Sequence, residues 1–210
     1  MRTPTFIERK GAPRNGISPE KGAGLLEVLS VLAVLGLALG LGIGAMRRIK
    51  DQEEAGALLM KARALVSRAR SHAIVDRESV GIRFSTRPNG VYARMYRDGD
   101  GDGLRARDIR TGMDGPISSW IELKTGSVRI GLPSDVDRDP SGRPLKDERG
   151  VRFGQGRTLS FTPLAKATPG TLYIRESAST GWAVRVAGID GRVRLYRWRH
   201  HRWRLVESGF

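Results

Sequence analysis

The sequence contains no cysteine. That excludes a disulfide framework, a thiolate metal centre and a cysteine nucleophile, and it fits any redox compartment. Histidine is nearly as scarce, with three in 210 residues: His72 alone, His200 and His201 side by side. A histidine base cannot be assigned from so few, and a zinc site at the adjacent pair would lack a third ligand. Neither a Gly-x-Ser-x-Gly elbow nor a phosphate-cradling glycine loop occurs, so no enzyme is expected. The acids Asp51, Glu53 and Glu54 read as a solvated face. Acidic residues are outnumbered, 22 against 37 Lys and Arg, for a net charge of +15. Such a surplus favours anionic partners, whether nucleic acid, acidic lipid or an acidic protein face; the alternative is a solvated, arginine-rich surface.

Long apolar runs are limited to one, which excludes a fully membrane-embedded chain. Residues 28–46 carry no charge over 19 positions. As a helix they extend about 28 Å, close to the hydrocarbon thickness of a bilayer, and a secretory signal usually has a shorter apolar region. The expectation is a membrane-spanning helix. Gly36, Gly40 and Gly44 recur every fourth residue and fall near one helix face, a spacing that permits close approach of a second helix. Basic residues lie on both sides of the run, so charge leaves its orientation open. At its head stands one acid, Glu27, and a carboxylate in hydrocarbon is costly unless it is paired.

Beyond the run, Ile49, Leu58, Leu59, Ala62, Leu65, Val66, Ala69 and Ala73 recur at helical spacing from Leu58 onward, and no proline occurs between residues 23 and 87. One helix of roughly 50 residues follows, its second half amphipathic. After Asp76 the period changes to two. Residues 80–84 and 91–96 alternate about Pro88-Asn89-Gly90, which predicts a β-hairpin. Further strands are predicted at 119–123, 127–132, 158–162, 171–175, 182–187 and 192–199, with a last edge strand at 202–206. Residues 133–157, rich in Pro, Gly, Asp and Arg, predict a long exposed loop.

The stretch Lys21-Gly22-Ala23-Gly24-Leu25-Leu26-Glu27-Val28 resembles the processing site of type IV prepilins and type II secretion pseudopilins. Ala23 and Gly24 stand where that family usually has Phe-Thr. Ala69-Arg70-Ser71-His72-Ala73-Ile74 before a hairpin, the run from Phe161 to Ile174, and Gly191-Arg192-Val193-Arg194 look like the H-type minor pseudopilins, the GspH/FimT-like group. The resemblance covers most of the chain from Gly22 onward. It implies a pilin-like α+β fold: a long N-terminal helix, its first half transmembrane, carrying a mainly antiparallel β head. The divisions are a leader at 1–22, the transmembrane half at 23–46, the amphipathic half at 47–77 and a periplasmic head at 78–210. It also implies cleavage after Gly22 by the prepilin peptidase, N-methylation of Ala23, and pairing of Glu27 with the free amino terminus of a neighbouring subunit. The expected product is a minor subunit of a type II secretion or type IV pilus system, single-pass in the inner membrane, in contact with membrane lipid, sister pseudopilins or pilins and the inner-membrane assembly platform. A plain membrane-anchored β domain, left uncut at Gly22, is the rival of another class.

Two segments carry further chemistry. Asp98-Gly99-Asp100-Gly101-Asp102-Gly103 spaces three acids as in the first half of an EF-hand-like calcium loop. The twelfth position is Ile109, with Asp108 one residue early, so the candidate Ca2+ ligands are Asp98, Asp100, Asp102 and Asp108, and the alternative is an acidic turn. Residues 191–204 hold six arginines with Tyr196, Trp198 and Trp203 between them. Arginine contacts phosphates and exposed rings stack on bases. In some FimT-like pilins a Gly-Arg-x-Arg element is associated with DNA uptake, which Gly191, Arg192 and Arg194 match. The alternative function is therefore a DNA-binding minor pilin gripping DNA through Arg192, Arg194, Arg197, Arg199 and Arg202. Against it stands an edge strand with solvated arginines and packed tryptophans.

Overall fold

The computed structural model describes residues 24–154 and 156–208, with backbone alone at 41–45, 47 and 48. Helix α1 runs Leu25–Val75, 51 residues, so the long N-terminal helix is present. By contacts the chain divides into two compact units, Met1–Gly44 and Ala45–Phe210.

In the first unit the helix is apolar on every side. Ten large side chains from Leu25 to Leu39 are each 51–82 % exposed. The membrane-spanning expectation is nevertheless corrected: among the described residues no helix is long and apolar enough to cross a membrane. The transmembrane part of the expected fold class, and with it the single-pass inner-membrane placement, is not sustained.

The second unit is mostly antiparallel sheet. Its strands in order are β1 (Val80–Arg87), β2 (Gly90–Arg97), β3 (Gly115–Pro116), β4 (Ile121–Glu122), β5 (Lys124–Thr125), β6 (Val128–Ile130), β7 (Val151–Phe153), β8 (Thr158–Phe161), β9 (Gly170–Arg175), β10 (Gly181–Val186), β11 (Val193–Arg199) and β12 (Arg202–Ser208). A short helix, α2 (Ala106–Thr111), lies between β2 and β3. One sheet has the order β3-β2-β1-β8, with β4 also on β2; the other runs β12-β11-β10-β9-β6-β5, with β7 also on β9.

The core forms where these patterns meet. Within α1, Leu58, Leu59, Ala62, Leu65, Val66, Ala69 and Ala73 are buried as expected, Ile49 of the expected stripe is exposed, and Ala55, which was not expected, is buried with them. They pack with Val80, Ile82 and Phe84 of β1 and with Leu172, Ile174, Val184, Val186, Val193 and Leu195 of the second sheet. Alternation thus sends one face of each strand into a common interior. The predicted hairpin is β1–β2, closed by the pair Arg87 and Gly90 around Pro88-Asn89.

Residues 133–157 are not all loop. Val151 and Phe153 are buried on β7, which pairs antiparallel with β9, and Phe153 stacks on Phe84 at 5.6 Å. The sequence conceals this strand because three residues between Gly150 and Gly154 give no measurable alternation. The rest of the segment folds over the outer face of the second sheet. Trp198 Nε1 donates to Asp135 and Trp203 Nε1 donates to the Arg138 carbonyl, which hold it there.

Candidate functional site

Gly22 and Ala23, the expected processing pair, lie outside the described residues. Glu27 is in the first turn of α1, with its amide donating to the Gly24 carbonyl at 2.7 Å and its side chain exposed. A carboxylate there complements the positive end of the helix.

The loop after β2 is the most organised acidic site among the described residues. Asp98, Asp100 and Asp102 each bring one oxygen to within 4.8 Å of the others. Asp98 is buried, and its two oxygens accept the amides of Gly101 and Gly103, both at 2.9 Å. Those two glycines hold φ of 81° and 90°, a region costly for other residues, so the loop can curl around the carboxylate. Asp102 is ion-paired with Arg105. Its carboxyl is pushed above the usual range, first by lost hydration and then by Asp100 and Asp108, against the pull of Arg105.

Asp108, expected as the fourth ligand, does not join the three; it sits in the first turn of α2. Asp114, which sequence spacing did not single out, is fully buried and spans the base of the loop. Its oxygens accept the amides of Gly99 at 3.3 Å and Arg105 at 3.2 Å. No local pattern marks Asp114, because its partners stand nine and fifteen residues away. The donor set suits a hard divalent cation, yet three carboxylates fall short of calcium's six to eight oxygens, leaving water to complete the shell.

The C-terminal arginines are not equivalent. Arg194, Arg199 and Arg202 are exposed, and Arg192 pairs with Asp190 at 3.2 Å. Arg197 is buried. Its Nη2 meets both Glu176 oxygens, at 2.9 and 2.7 Å, and its guanidinium lies 4.3 Å from the centre of the Trp182 ring. Arg197 is therefore a structural ion pair, unavailable to DNA phosphates, which corrects one of the five expected contacts. The cause is strand alternation: Arg197 falls on the same inward face of β11 as Val193 and Leu195, and the β10–β11 register runs unbroken through it. Trp198, on the opposite face, is buried as well because Asp135 and Trp203 cover it. Trp198 is buried and meets Trp203 at 5.1 Å, so the aromatic residues of the segment belong to packing.

No family model, no curated protein and no solved structure matches the chain.

Proposed function

We propose that the chain is a pilin-like assembly subunit, of the minor pseudopilin or pilin kind, whose N-terminal helix packs among the helices of sister subunits after cleavage between Gly22 and Ala23. The observation that supports this best is the surface of 25–39. A helix that is apolar around its whole circumference is not stable facing water and belongs inside a larger packed structure. Each of the ten large side chains there leaves more than half of its surface uncovered. Gly36 and Gly40 have open space where a Cβ would stand, giving a flat strip for a neighbouring backbone. In such a bundle, Glu27 is the one charge, and a free amino terminus at Ala23 of the next subunit would neutralise it. That pairing favours one packing register over its neighbours.

On the head, the three converging carboxylates are offered as a weak calcium site that orders the 98–103 loop. The prepilin peptidase, the assembly platform and sister subunits are the partners this reading requires, and the chain itself performs no chemistry.

The test is intact-mass and N-terminal analysis of the protein produced with a prepilin peptidase. Loss of the first 22 residues, giving a chain that begins at Ala23, is the expected result. Glu27→Ala should be processed normally but fail to co-assemble. A mature chain that keeps Met1, or a Glu27→Ala variant that assembles like the wild type, would sink the proposal.

A further inference from the structure

Strand register lines up basic side chains across the second sheet, on the face opposite the main core. Arg152 on β7 pairs with Thr171 on β9, Thr171 with Arg185 on β10, and Arg185 with Arg194 on β11. Directly paired residues share a face and strands lie about 4.8 Å apart, so three guanidinium groups stand in one row about 14 Å long. Like charges set opposite each other destabilise a sheet, so such a row calls for counter-charges.

The segment 137–149 overhangs this row and encloses a cleft of about 630 Å³. Four arginines line it, Arg143, Arg152, Arg185 and Arg194, against one acid, Asp139. Arg185 stands 3.9 Å from Asp139, and Arg152 pairs with Asp147 at 2.6 Å. Arg143 and Arg194 have no carboxylate partner among the described residues, so two positive charges remain uncompensated.

Two buried donors converge on the same cleft without partners. Arg152 Nε and the Tyr173 hydroxyl are both buried with no partner at hydrogen-bond geometry, although the Thr171 side chain lies close enough to the hydroxyl to draw its pKa down. Tyr173 is fully buried, one strand position pair along from the arginine row. Burial first, and the charge of Asp139 second, push its hydroxyl up to about 12, which keeps it a neutral donor at physiological pH. Arg Nε can only donate, so what it lacks is an acceptor. Buried polar groups are almost always satisfied, and two unsatisfied donors in one cationic cleft point to an absent anionic acceptor.

We propose that this cleft binds a phosphate group, as inorganic phosphate or as a small phosphomonoester, held by Arg143, Arg152, Arg185, Arg194 and the Tyr173 hydroxyl. A dianion matches the two uncompensated charges where a carboxylate would leave one behind. Its several oxygens accept donors from the sheet floor and from the arginine row together, a geometry suited to arginine forks. The cleft is far larger than one phosphate and lies in the size range of small-molecule sites, so an organic group fits beside it. This site is independent of the helix assembly proposed above.

The test is calorimetric titration of the full chain with inorganic phosphate and, separately, with glycerol phosphate, at pH 7.5 and an ionic strength held constant with chloride. Saturable binding of at least one is expected, at one site per chain. Tyr173→Phe keeps the ring against Trp203 and removes only the hydroxyl; it should weaken binding about tenfold, the worth of one hydrogen bond. Arg194→Gln, at an exposed position, should weaken it at least as much. Tighter binding of glycerol phosphate assigns an organic ligand, and equal binding assigns the free anion. Absence of saturable heat with either compound overturns the proposal. So does a Tyr173→Phe protein that binds like the wild type, since that would reduce the site to diffuse positive charge.

Discussion

Replacing Arg197 by Met tests whether the buried pair holds the β11 register in place. The Arg197 and Glu176 side chains are only 9 % and 8 % exposed, with a closest N–O distance of 2.7 Å. Burial pulls the guanidinium below its usual value and Glu176 pulls it back up, yet at neutral pH it stays charged. Removing one member of a buried pair strands the other charge and costs about 3–5 kcal/mol. Loss of the Trp182 contact lies within that figure rather than on top of it, because the two share one group. Domains are stable by about 5–15 kcal/mol, so the variant keeps a folded head but a fragile one. With a urea dependence of about 2 kcal/mol per molar, the midpoint should fall by roughly 2 M. Trp182, Trp198 and Trp203 all lie near the pair, so tryptophan fluorescence follows the transition directly. The double variant Arg197→Met/Glu176→Leu should recover most of the loss, because apolar replacement of both partners is often neutral or stabilising. A single variant within about 0.5 kcal/mol of the wild type would refute the reasoning, as would a double variant whose loss equals the sum of the two singles.

Three further outcomes are expected. His200 and His201 form the two-residue turn between β11 and β12 with φ of 52° and 56°; His200→Asn with His201→Gly supplies residues suited to that turn and should stabilise the head by about 1 kcal/mol or more in urea unfolding. Asp147 is held down at about 2, first by the hydrogen bond from the Arg149 side chain and then by the Arg149 amide. Its folded value lies below the ordinary 3.8, so its contribution is complete above about pH 4–5 and is lost as pH falls toward 2; Asp147→Asn should lower stability at neutral pH, flatten the fall between about pH 5 and 2, and converge with the wild type at the acid end. Calcium added to chelated protein at about ten times its dissociation constant adds about 1.4 kcal/mol, a rise of about 3–5 °C in Tm, and Asp102→Asn should remove the rise. An unchanged Tm in the wild type would eliminate the cation.

Much of the fold was legible because it rests on repetition. The α1 stripe from Leu58 to Ala73 and the strands β8 to β12 follow from periods of 3.6 and two sustained over several residues. What escaped was short or distant. β7 is three residues long and earns its place through pairing with β9 and the Phe84–Phe153 stack, both set by tertiary context. The His200-His201 turn escaped as chemistry, though its position between two strands was clear, because a His-His pair is not among the usual fillings of a two-residue hairpin turn. The transmembrane reading rested on composition alone and is not sustained: among the described residues no helix is long and apolar enough to cross a membrane.

The sites divide along the same line. Asp98, Asp100 and Asp102 were legible since a calcium-type loop is written in consecutive residues, and the structure gathers them. Asp114 and the phosphate cleft were not, since their parts come from remote segments and meet only through register. Arg194 is the instructive residue. In the sequence it belongs to a run of six arginines, and the natural grouping was with Arg192, Arg197, Arg199 and Arg202 along one strand. Folding regroups it across strands, with Arg152 and Arg185, forty-two and nine residues away. A strand presents its charges to a partner in a line along the chain, whereas a sheet presents them at right angles to it. Any function of these arginines that depends on geometry must therefore follow the cross-strand row, and mutating Arg185 should perturb anion binding by Arg194 more than mutating Arg199 does.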